Sequence, residues 1–326
     1  MPLIGAIISS MPVPRSTDLL TPDHPVRPYP ADHRLRMSPW ARLAVFALVF
    51  IGVAILIISA ITASTSDFSV PDWSKPVAEL VGALVAYGVV TMYTEARIPP
   101  FELAPRRALG LVKGLVLGLV LAGVCVGILA ATGTYTITGV NSSYSPWSDL
   151  FVIGVVAGVA EEIMFRGVVF RLLEEGVGTW GAVIVSAVLF GVLHLSNPDG
   201  TWWGAASIAV EAGILFAAVY AVTRSLWWCV GLHFAWNVAE GPIFGSAVSG
   251  SGHVNSWLVS SWSGPEILTG GSFGLEASIV PVVLLGALGI ALLVLAQRKG
   301  AMVAPMWTRR RVLTHGQADP RRDPAM

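Results

Sequence analysis

Two adjacent carboxylates, Glu161 and Glu162, stand in the middle of a long apolar run, with Arg166 four residues beyond the second of them. An ionisable side chain in a membrane-length apolar segment costs several kcal/mol unless it is paired, so each one is a candidate for function. Glu162 and Arg166, acid first at a spacing of one helical turn, share a face and can neutralise each other. Glu161 is turned ~100° away from its neighbour on a helix and has no local partner. The pattern is a structural ion pair beside a chemically available carboxylate. Two further runs carry imidazoles: Phe190 and His194 lie on one helical face, and His233 and Asn237 on another. The remaining histidines, His24, His33, His253 and His315, fall in tails or loops. A carboxylate, two imidazoles and a carboxamide gathered inside a helix bundle can activate a water and stabilise an oxyanion.

The elements that must position these groups follow from composition. The chain has 326 residues, 54% hydrophobic and only 12% charged, where soluble domains carry roughly 25% charged residues. It therefore reads as all-α and polytopic, with about eight transmembrane helices, each needing about 20 apolar residues. The spans are expected at 43–63, 77–93, 110–131, 149–173, 180–195, 204–222, 226–244 and 277–296. Residues 1–40 form a mobile tail, 41–148 hold three accessory helices, and 149–244 hold a four-helix catalytic core. An outer loop (245–276), an eighth helix (277–297) and a basic tail (298–326) complete the chain. With the N-terminus inside, all of the twenty Lys and Arg except Lys75 fall on the cytoplasmic side, so both termini are expected to be cytoplasmic. Formal net charge is zero, which removes the simplest electrostatic case for nucleic acid. Cys125 and Cys229 sit in apolar runs and support no disulfide framework.

Depths along these spans put Glu161 at ~12 Å and His233 at ~10 Å from the cytoplasmic boundary, but His194 at ~21 Å. The third does not agree with the first two. Among the remaining features, Gly110, Gly114 and Gly118 permit close helix packing. Glu211 reads as a satisfied polar group in the bundle, and Trp202, Trp203, Trp227 and Trp228 as interfacial anchors.

Three motifs in order, Glu161-Glu162-x-x-x-Arg166, Phe190-x-x-x-His194 and His233-x-x-x-Asn237, each in an apolar span, make the chain resemble the CPBP family (CAAX proteases and bacteriocin-processing enzymes, also called Abi). Its eukaryotic relative is the type II CAAX prenyl endopeptidase. Phe165-Arg166-Gly167 and the run from Ser225 to His233 add smaller matches, whereas Arg224, Ala217 and Glu211 depart from the pattern. The resemblance implies an intramembrane endopeptidase in which Glu161 and His194 activate a water, His233 and Asn237 form the oxyanion site, and Glu162, Arg166 and Phe190 support them. Convergence of three helices implies a cavity, expected to open to cytoplasmic water. The implied partners are a membrane-associated protein or peptide substrate and the lipid bilayer, with no nucleic acid, in a multi-pass protein of the bacterial plasma membrane. No cofactor is expected. Glu161, His194 and His233 are a zinc set in type, but no H-E-x-x-H helix is present, and Asn237 beside His233 is better explained as a second donor. The competing readings are a proton-coupled transporter and a non-catalytic immunity or scaffold protein.

Overall fold

The computed structural model describes residues 37–65, 69–71, 73–95, 97, 100–252 and 255–308; the tail expected at 1–40 and the basic tail lie largely outside them. The first helix, α1 (Pro39–Ser64), starts where the Ser38 side chain accepts the Ala41 N–H at 3.2 Å and Pro39 takes the first turn, where its missing N–H costs nothing. Leu48, Ile51, Ile55 and Leu56 on it are exposed, as a lipid-facing surface requires. Then come α2 (Ser74–Thr94), α3 (Pro105–Ala131) and the strand β1 (Tyr135–Val140). The next apolar stretch, Trp147–Ser196, is helical throughout except at Gly178, whose φ of 79° and ψ of 171° break it into α4 (residues 147–177) and α5 (residues 179–196). There follow α6 (Trp202–Thr223), α7 (residues 226–243), the strand β2 (Leu258–Trp262) and α8 (Ile279–Arg298).

Six described helices are long and apolar enough to cross a membrane, and the stretch holding α4 and α5 is one of them. α7, which carries His233, Asn237 and Glu240, is not among the six. With the break at Gly178 and α7 included, the molecule is the expected bundle of eight limbs. The expected loop 245–276 is more ordered than its Ser/Gly composition suggests. β2 within it pairs antiparallel with β1, Tyr135 opposite Trp262 and Val140 opposite Leu258, with an irregularity between Ile137 and Gly139.

Gly178 removes the disagreement over His194. A side chain there would meet Pro305 N and Val303 O at 2.8 Å, and Thr179 N–H donates to Val303 O at 3.0 Å, so the turn is docked under the segment after α8. Glu161 and His194 lie almost equally far along the chain from this turn, each on the order of 25 Å from it at ~1.5 Å per residue. The expected end of the fourth span at residue 173 is too early. Arg171, Glu174 and Glu175 have the composition of a loop, but they are helical and paired: Arg171 Nη1 with Glu95 Oε1 at 2.8 Å, Glu174 with Arg224, and Glu175 with Arg42.

These pairs belong to a buried charge lattice at the end of the bundle where α1 begins and α8 finishes. Glu95 also receives Arg42 at 2.8 Å and Arg97 at 3.0 Å, and Arg97 reaches Glu102 at 2.6 Å. Arg224 has φ 52°, a left-handed position where glycine is the easy residue. Its two-pronged grip on Glu174 offsets that strain. At the opposite end lie the paired strands β1 and β2, the α5–α6 loop and the segment between α7 and α8.

Packing of α3 on α7 fixes the helix that carries His233. A Cβ at Gly114 would stand 2.3 Å from Trp228 O, and one at Gly118 2.7 Å from Leu232 O, so the backbones touch where the glycine spacing allows it. Trp228 is buried in this seam rather than anchored at an interface, whereas Trp202 is exposed.

Candidate active site

In α4 a regular turn, Ala157–Glu162, is bracketed by wide π turns at Leu150–Val156 and Ile163–Phe170, a distortion that often marks functional positions. Glu162 is fully buried, and its Oε1 accepts from Arg166 Nη1 at 2.8 Å and from His233 Nδ1 at 2.9 Å. The other end of the Arg166 guanidinium donates to Ala212 O at 3.3 Å and lies over the Phe190 and Phe216 rings at 4.9 and 5.0 Å. The pair read from the i, i+4 spacing is thus one edge of a wider net spanning α4, α5, α6 and α7. Its bond to His233 left no trace in the sequence, because it joins residues far apart in the chain.

Glu161, on the neighbouring face, is half-buried, and its Oε2 has no hydrogen-bond partner among the described residues. His194 Nδ1 is 2.7 Å from Phe190 O. A carbonyl only accepts, so Nδ1 carries the proton and Nε2 is left as the available nitrogen. The same logic applies to His233, whose Nδ1 donates to Glu162. The Phe190 ring stands between the two imidazoles, 4.8 Å from His194 and 6.4 Å from His233. Asn237 gives one N–H to Ile153 O at 3.1 Å and keeps a second.

Glu161, His194 and Asn237, from α4, α5 and α7, line one cavity of about 420 Å³, within the usual range for small-ligand sites. His233 stands behind this wall, within electrostatic reach of Glu161. Sequence reasoning passed over Glu79 of α2, which lines the same cavity and lies within electrostatic reach of both Glu161 and His233. Its only signal was an acid in an otherwise apolar span. The wall also includes Pro76, Val152, Ile153, Ser196, Asn197, Val248, Ser249 and Ser251. All of these belong to the end of the bundle opposite the described chain ends, so a cytoplasmic cavity and cytoplasmic termini, both expected from the sequence, do not hold together.

Among the described residues no group of three or more His, Cys, Asp or Glu is placed to hold a metal ion. Glu161, His194 and His233 are therefore not gathered into the zinc set that their types allow, although the Nδ1 bonds of the two imidazoles leave each Nε2 available. Glu211 also differs from expectation. It is buried, and neither carboxylate oxygen has a hydrogen-bond partner among the described residues. Glu240 and Glu276 are close by: Glu276 N–H donates to Glu240 Oε1 at 3.2 Å, and Glu276 itself receives Ser249 Oγ at 2.7 Å and Trp236 Nε1 at 3.2 Å. Burial pushes the Glu276 carboxyl above its ordinary value despite these donors.

The stretch that carries all three motifs can now be compared with known proteins. Residues 143–239 match the type II CAAX prenyl endopeptidase Rce1-like family. The CPBP resemblance read from Glu161, His194 and His233 is borne out over that segment. The chain is also similar to "Putative membrane peptidase YdiL" of Bacillus subtilis (strain 168), 30% identical over 88 residues. That match covers 27% of this chain and 34% of the relative, so it spans about a third of the relative's length. The family segment takes in α4 to α6 and most of α7 and leaves out α2, and with it Glu79.

Proposed function

We propose that the protein is an intramembrane endopeptidase that hydrolyses a peptide bond of a membrane-associated protein or peptide. The observation that carries this reading is the cavity shared by Glu161, His194 and Asn237, three residues from three helices. A water held between the Glu161 carboxylate and His194 Nε2 gives a proton to Glu161 as its oxygen attacks the scissile carbonyl carbon. The carbonyl electron pair moves onto oxygen, where the second N–H of Asn237 receives it. His233 adds a second donor from Nε2 when its ring is doubly protonated, with Nδ1 held by the Glu162 carboxylate. On collapse the C–N bond breaks, and the proton held by Glu161 passes to the leaving amine. Glu162, Arg166 and Phe190 act through position: they orient His233 and His194 and do not meet the substrate.

The charge distribution supports a plasma-membrane protein with both termini cytoplasmic. Arg42, Arg97, Arg106, Arg107, Lys113, Arg171, Arg224, Arg298 and Lys299 lie toward the end where α1 begins, and among the described residues only Lys75 lies toward the other.

The test is incubation of purified wild type, Glu161→Gln and His194→Ala with a peptide library in detergent, with and without chelator, read by mass spectrometry. Wild type cleaves in both conditions, and each variant loses ~10²–10⁴-fold while remaining folded. Undiminished cleavage by Glu161→Gln overturns the reading, as does proton-driven uptake into proteoliposomes without proteolysis.

A further inference from the structure

The cavity has a mouth, and its place in the bundle says from where a substrate comes. Val152 and Ile153 lie in the first turns of α4, Ser196 and Asn197 at the end of α5, and Val248 and Ser249 in the segment after α7. Asn197 Nδ2 donates to Ser249 O at 2.7 Å, tying the two sides of the rim together. Toward the other end the floor is closed by the fully buried Glu162 and Phe190 and, beyond them, by the charge lattice around Glu95 and Arg171. A segment of polypeptide reaches Glu161 from the end that bears β1 and β2 and not through the lattice.

We infer that substrate enters from the extracytoplasmic side, and that it is an interior segment of a polypeptide presented at that surface. The side follows from the cations, which gather at the closed end, where α1 begins and α8 finishes; cytoplasmic loops carry the excess of Lys and Arg. The substrate class follows from the lining. Glu79 and Glu161 face the cavity and no Lys or Arg does among the described residues, so a free C-terminal carboxylate is repelled while an uncharged or basic internal stretch is accepted. The substrate half of this inference rests on the endopeptidase reading; the orientation rests on the charges and the placement of the mouth.

The experiment uses the full chain in cells. Ser142 is exposed at the end that bears β1 and β2 and Thr308 at the other, while Cys125 and Cys229 are buried and silent. A membrane-impermeant maleimide should label Ser142→Cys in intact cells and Thr308→Cys only after permeabilisation; the reverse pattern overturns the inference. Peptides found to be cleaved in detergent are then added to sealed vesicles, as free acids and as C-terminal amides. Right-side-out vesicles should cleave them, the amides at least as well, with loss of cleavage in inverted vesicles and in Glu161→Gln. Cleavage confined to inverted vesicles, or to free acids, overturns it. Should the purified protein cleave nothing, the peptidase reading and the substrate class fall together, and the labelling pattern alone decides the side.

Discussion

One carboxylate oxygen, Glu162 Oε1, joins Arg166 on its own helix to His233 on α7, at 2.8 and 2.9 Å. Removing one member of a buried pair leaves a charge uncompensated, at a cost of about 3–5 kcal/mol, whereas replacing both with apolar groups is often tolerated. Glu162→Leu is therefore expected to lower the thermal unfolding temperature in detergent, and Glu162→Leu with Arg166→Met to recover much of it. Cleavage should not recover with the fold, because His233 Nδ1 has lost its acceptor. A stable double variant with wild-type kcat would show that Glu162 serves the fold alone.

Glu79 reaches the cavity from a helix outside the segment matched by the family. In Glu79→Gln, KM for peptides with a basic residue near the scissile bond should rise by roughly tenfold, as loss of a charge pair worth about 1.4 kcal/mol implies. Neutral peptides should be cleaved with little change. The ratio of kcat/KM for matched basic and neutral peptides measures this, and an unchanged ratio would exclude Glu79 from substrate selection.

Two glycines of the same helix predict opposite outcomes. A methyl at Gly114 meets Trp228 O and Leu232 N, while nothing lies within 4 Å of one at Gly123. Gly114→Ala should destabilise by about 1–3 kcal/mol through overpacking and reduce cleavage by shifting α7. Gly123→Ala should be neutral or stabilising by up to about 1 kcal/mol. Unfolding curves and cleavage rates of the two variants, compared side by side, decide the matter.

Acid should unfold the charge lattice. Burial by itself raises the Glu95 carboxyl, but Arg171, Arg97 and Arg42 outweigh it and hold the group below its ordinary value of 4.5. A carboxylate whose pKa is depressed by folding contributes stability that is fully present above the unfolded value and is lost as pH falls through the folded one. Thermal stability should therefore decline on acidification below the ordinary carboxylate range, and the Glu95→Gln protein should start lower and decline less steeply. Parallel acid limbs for wild type and variant would show that Glu95 does not govern this loss.

Much of the molecule was legible as sequence because its signals are local. Apolar runs of membrane length mark the limbs, the i, i+4 spacing of Glu162 and Arg166 marks a pair, and the Gly110-Gly114-Gly118 repeat marks a close helix contact. Each depends only on helical geometry and the cost of burying charge. The order of the three motifs was likewise enough to point to the family. The sequence misplaced the end of α4, since Arg171, Glu174 and Glu175 have the composition of a loop until Glu95, Arg224 and Arg42 arrive from elsewhere in the chain to neutralise them. Only the folded bundle shows that Glu162 holds His233, that Glu79 shares the cavity with Glu161, and which end of the bundle bears the mouth. Those relations join residues tens of positions apart, and a linear pattern carries no distance across helices. Their geometry is set by how the α4–α5 turn at Gly178 and the α3–α7 seam bring the limbs into register.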